Sequence, residues 1–90
     1  MRERDETRLL QRVRDLRALL EGAPVEGVHA RLQALEREAS EMGLDLCAFA
    51  REHEPAFLPY YYLLEGSHAC DDPAVPLWVR EQVRAHYGVN

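Results

Sequence analysis

Nowhere in the 90 residues is there an uninterrupted apolar run of about 18 residues, the length a membrane span needs. No charged stretch leading into an apolar one opens the chain, so neither a membrane contact nor a secretory leader is expected, and the expected location is the cytoplasm. Lysine is absent: all eleven basic residues are arginine. Codon bias in a GC-rich genome is the simplest cause, and nothing in the pattern demands the planar arginine fork. Cysteine is scarce, with two residues and no C-x-x-C pair, which removes the usual zinc knuckle. In the cytoplasm both are expected as reduced thiols; a Cys47–Cys70 disulfide belongs only to an oxidising compartment. Glu-x-x-His, the helical signature of metal-binding bundles, does not occur. No catalytic or nucleotide-binding signature is present either, so no enzyme activity and no cofactor are expected.

What the chain has is punctuation. Gly22, Gly43, Gly66 and Gly88 stand 21, 23 and 22 residues apart, each after a stretch that reads as helix. Glycine past a helix end enters the left-handed conformation at least cost and closes off the last carbonyls. With 47% hydrophobic residues, a globular core is within reach. The expected fold is all-α: one domain over residues 1–90, a small bundle of four to five short helices that opens with an antiparallel helical hairpin.

Residues 6–21 read as the first helix, with residues 1–5 frayed. Leu9, Val13, Leu16 and Leu20 follow a 4-3-4 spacing, and Leu10 and Leu19 widen the stripe. Pro24 suits the first turn of a second helix, with Glu26 near its positive end. Its seam is Val25, Val28, Leu32, Leu35, Ala39 and Met42. The short connector makes residues 6–42 a hairpin. The seam register continues through Leu46, Phe49 and His53, so one long helix from 24 to 54 is an alternative. The favoured reading is a stop at Gly43, with Leu44 folding back and Asp45 capping a new helix. Pro55 ends that element. Residues 56–65 read as a short helix started by Pro59. The last helix starts at Asp71 or Asp72 followed by Pro73, with regular helix delayed to Pro76. Val75, Trp78, Val79, Val83 and Tyr87 share its inner face.

Charge is unevenly distributed. Residues 1–20 hold six arginines against four acids, +2; residues 21–90 hold five against twelve, −7. The basic helix is expected to complement the acidic remainder, within one fold or across a dimer. The acidic middle (Glu36, Glu38, Glu41, Asp45, Glu52, Glu54) reads as a solvated face pairing with arginines.

Candidate site residues are few. Cys47, His53, His68 and Cys70 are zinc-ligand types, but Cys47 and His53 lie six apart, on different helix faces. A buried Cys47 behaving as a small hydrophobe is the plainer reading. Asp71 and Asp72 beside His68 and Cys70 read as helix caps rather than catalytic groups. Three consecutive tyrosines span about 200° of a helix, so they cannot all face one core. Phe57, Tyr60, Tyr61, Tyr62 and Trp78, with Arg12 and Arg17, are the interface candidates, because tyrosine, tryptophan and arginine dominate contact energetics.

The function expected is a non-enzymatic protein–protein interaction module: an adaptor, a regulator or a small subunit that self-associates as a homo-oligomer. Two alternatives stand beside it: a nucleic-acid-associated regulator using the arginine-rich first helix, and a metal- or redox-responsive protein using Cys47 and Cys70. The net charge of −5 opposes broad nucleic-acid binding.

Overall fold

A computed structural model describes residues 2–66 and 70–88, with the side chains of Arg2 and Glu3 left aside. Its helices are Arg2–Leu20 (α1), Val28–Glu41 (α2), Leu46–His53 (α3), Leu58–Tyr62 (α4) and Leu77–His86 (α5), with a 3-10 turn over Pro55–Phe57 leading into α4. The described residues contain no strand, as the helical spacing implied.

The hairpin is present, and side-chain pairs give its direction. Arg12 meets Glu38 at 3.1 Å, while Leu16 and Leu19 share a groove with Arg31, Ala34 and Leu35. Residue numbers rise on α1 as they fall on α2, so the two run antiparallel. Leu9, Val13, Leu20, Val28, Leu32, Leu35 and Ala39 are all buried between these helices and their neighbours. Leu16 is half-buried, and Leu19 is exposed, so it does not widen the inner stripe as expected. Helix α1 begins at Arg2, four residues before the start at residue 6 that the sequence suggested. Arginine and glutamate are good helix formers, and the turn extends without needing tertiary support.

The connector departs from the sequence reading. The second helix does not start at Pro24; it starts at Val28, after Gly27 at φ 75° and ψ 33°. Gly22 ends α1 without entering the left-handed region; Gly27, the glycine outside the even spacing, enters it instead. The Val28 N–H is satisfied by Gln82 Oε1 of α5 at 2.9 Å, and the Gln82 amide donates to the Val25 carbonyl. One side chain, 54 residues away in sequence from Val28, thus does the work a local capping residue would do.

At Gly43 the break occurs as expected. Gly43 takes φ 75°, the Leu44 N–H reaches the Ala39 carbonyl at 2.9 Å, and the Gly43 N–H reaches Ser40 at 2.9 Å. This pair of bonds satisfies the last carbonyls of α2. Asp45 then accepts the Cys47 N–H at 3.2 Å and starts α3. Leu46, Phe49 and Ala50 are buried, whereas His53 is exposed and lies against the Phe49 ring, with 4.6 Å between centroids.

Pro55 closes α3, and Phe57, Tyr60 and Leu63 turn inward over the hairpin. Asp72 accepts the Ala74 N–H at 2.9 Å, and α5 begins after Pro76. Val75, Val79 and Val83 pack inward; Trp78 is half-buried against the core, and Tyr87 is exposed. Arg80 and Arg84 donate to the carbonyls of Val75 (3.0 Å) and Cys70 (3.4 Å), tying the preceding loop to α5.

Candidate interaction surface

The aromatic cluster divides by depth. Phe57 and Tyr60 are 0% and 1% exposed, so they support the core and are not available to a partner. Tyr60 reaches Glu21 through its hydroxyl at 3.5 Å. Burial, with Glu21 beside it, pushes that hydroxyl up to about 12. Tyr61 is half-buried, and Tyr62, exposed, packs edge-on against it at 6.0 Å between centroids. Successive side chains turn by about 100° on a helix, which distributes the three rings from core to solvent. Burial raises the Tyr61 hydroxyl's pKa first; Glu36, Cys47, Asp45 and Glu65 raise it further. The Arg51 guanidinium lies in the same neighbourhood, beside Cys47 and Tyr62. Trp78 is half-buried and stabilises the seating of α5.

The arginines of α1 divide into two groups. Arg12, Arg14 and Arg17 are ion-paired to the acidic remainder: Arg12 to Glu38, Arg14 to Glu54 at 2.8 Å, and Arg17 to Glu21 at 3.2 Å and Glu54 at 3.9 Å. The complement of charge within one fold is therefore physical. Arg4 and Arg8 are exposed and have no ion-pair partner among the described residues. They and Gln11 and Arg12 border an open depression of about 620 Å³. Arg12 also borders the neighbouring groove, about 350 Å³, lined by Asp15, Leu16, Leu19, Arg31, Ala34 and Leu35. The two openings adjoin at Arg12: the first is basic, and the second sets Leu16, Leu19, Ala34 and Leu35 among Asp15 and Arg31.

The candidate metal residues do not gather. Cys47 lies half-buried on α3, with Arg51 donating to its sulfur at 3.5 Å. Cys70 is fully buried, and burial pushes its thiol up. Both are free thiols. His53 sits on the surface of α3, and His68 lies outside the described residues. No group of three histidine, cysteine or carboxylate side chains among the described residues could hold a metal ion. No described helix is long and apolar enough to cross a membrane.

Two features escaped the sequence reading. One is the Gln82 clamp. The other is a pair of imidazoles: His29 and His86 stack across α2 and α5 with centroids 3.8 Å apart and planes 16° apart. Neither has a local signal, because each joins residues more than 50 positions apart. No family model matches the chain, and no curated protein or solved structure matches it.

Proposed function

We propose that the protein is a non-enzymatic interaction module, an adaptor, regulator or small subunit, that self-associates through helix faces. The observation that carries this reading is the α1 strip, where Arg4 and Arg8 stand exposed, with no ion-pair partner among the described residues, next to the Leu16–Leu19 groove. Its complement lies on the same molecule. Glu38 faces α1, and Glu36, two residues earlier on α2, projects about 200° around the helix from it. Glu36, Asp45 and Glu65 act electrostatically on Tyr61, with Arg51 beside Tyr62 and Asp45. A basic–apolar strip on one copy and an acidic–aromatic surface on another complement each other in charge, and charge sets partner choice and orientation while apolar area supplies affinity. Because the two surfaces differ, the contact is heterologous, and repeated use builds rings or short chains rather than a closed twofold dimer.

Sedimentation equilibrium tests the reading. Association is expected at about 0.01 M salt and should weaken toward about 1 M, where the screening length contracts from roughly 30 Å to 3 Å. The double substitution Arg4→Glu, Arg8→Glu should abolish it without changing the helical signal. A protein that is monomeric at every concentration and salt level would refute self-association. The exposed arginines also support the nucleic-acid reading, so a duplex DNA of random sequence is the comparison. Retention of the duplex with a steep salt slope, by a protein that does not self-associate, would favour that alternative.

A further inference from the structure

The stacked imidazoles lie where α5 crosses the start of α2. His29 occupies the first turn of α2 and His86 the last turn of α5. Their rings stand 3.8 Å apart, and the Tyr87 hydroxyl lies 3.4 Å from His29 Nε2. The same hydroxyl donates toward the carbonyls of Leu63 and Leu64, each at 3.1 Å, so the end of α5 is tied to the chain after α4 as well. Among the described residues, the titratable groups facing His29 are His86 and Tyr87. The other residues around this cleft, Gly27, Val28, Ala30, Gln33 and Gln82, are uncharged. Among the described residues, no carboxylate lines this cleft.

The helix ends make the two histidines unequal. Positive charge is favoured at the carbonyl end of α5 and disfavoured at the amide end of α2. Burial and His86 both hold His29 neutral, its pKa lowered below 6.5. The sign follows directly. His29 in a released, solvated state takes up its proton near the ordinary value, whereas docked His29 resists, so the docked state is fully favoured above about 6.5 and loses ground as pH falls through that range.

We propose that the stacked His29–His86 pair forms an acid-operated latch that holds α5 on α2 at neutral pH and releases it when the His29 ring takes up a proton. Release withdraws the Gln82 clamp from the Val25–Val28 connector and uncovers the Val79–Val83 face of α5 together with the Val28–Leu32 stripe of α2. The latch is independent of the docking strip on α1.

The chain carries one tryptophan, Trp78, and it sits on α5 against the core, so its emission reports docking directly. Fluorescence is recorded on the full chain from about pH 8 to about pH 5, the range in which histidine titrates, with far-UV circular dichroism in parallel. The expected result is a red shift of Trp78 emission below about pH 6.5 while most helical signal remains. His29→Phe and His86→Phe keep a stacked ring that cannot be charged and should each suppress the shift. If either variant fails to fold, amide hydrogen exchange on the wild type decides: corrected exchange at Val79 and Val83 should accelerate on acidification relative to Val13 in α1. An emission maximum that ignores pH, an equal shift in the phenylalanine variants, or equal acceleration at Val13 would each overturn the latch.

Discussion

Replacing Gly43 by alanine tests the architecture through the sign of its effect. Gly43 sits at φ 75°, with nothing within 4 Å of where a Cβ would stand. The substitution therefore creates no clash with the rest of the molecule, and its cost is confined to the residue's own backbone. A side chain in the left-handed region costs about 1–2 kcal/mol, and the stiffer unfolded chain of the alanine variant returns about 0.4–1 kcal/mol of that. The net expectation is a loss of about 1 kcal/mol, which lowers Tm by roughly 4–8 °C in a domain of this size. Were residues 24–54 one continuous helix, the same change would relieve a mid-helix glycine and stabilise by about 1 kcal/mol. Urea denaturation followed by circular dichroism reads the difference: the midpoint should fall with an unchanged slope. Gly43→Asn should lose less, because asparagine tolerates the left-handed region better. A rise in midpoint for Gly43→Ala would refute the break between α2 and α3, and with it the placement of Asp45 near Tyr61.

Gln82→Ala removes both bonds of the clamp and leaves the Val28 N–H and Val25 carbonyl unpaired. At about 0.5–1.5 kcal/mol per hydrogen bond, the expected loss is about 2 kcal/mol, with hydrogen exchange at the Val28 amide accelerating most; a protected Val28 amide would show that the clamp is not its partner. Tyrosine ionisation followed at 295 nm should contain one late step at about 12, from Tyr60. Because the unfolded chain ionises that hydroxyl earlier, near pH 10, folding stability should be lost between those two values, and Tyr60→Phe should remove this loss. A Tyr60→Phe variant with the same alkaline profile would count against the buried hydroxyl.

The features that were legible in advance share one property: their causes lie within a few residues. The 3- and 4-residue spacing of Leu9, Val13, Leu16 and Leu20, and of Val28, Leu32, Leu35 and Ala39, defines two apolar stripes wherever the chain goes. The Gly43–Leu44–Asp45 junction ends one helix and caps the next using its own backbone and one side chain. Pro55 and Pro76 limit the helices around them because a missing N–H is a local fact. Three adjacent tyrosines required different depths, although which ring would be inside was not readable. The proposed docking strip was only half legible: Arg12 was singled out as a contact residue, and the structure pairs it with Glu38, while Arg4 and Arg8 have no ion-pair partner among the described residues.

The misjudged features have distant causes. Pro24 is a competent helix start, yet α2 waits for Val28, because Gly27 turns left-handed and Gln82 arrives from α5 to satisfy the first amide. Leu19 resembles Leu16 in sequence and differs from it in burial by its angle to a neighbour. Phe57 and Tyr60 stood between a partner-facing role and rings packed inside, and the assembled core takes both.

By itself, the order of residues determined that this chain is helical, where most helices stop, and that its first helix is basic against an acidic remainder, because hydrogen bonding, glycine and proline geometry and charge are properties of short segments. Which arginines find a carboxylate, which tyrosine reaches solvent, which glutamine completes a helix start and which two histidines meet were decided only when the helices packed. Each of those pairings joins groups from separate elements, and no local energy specifies it.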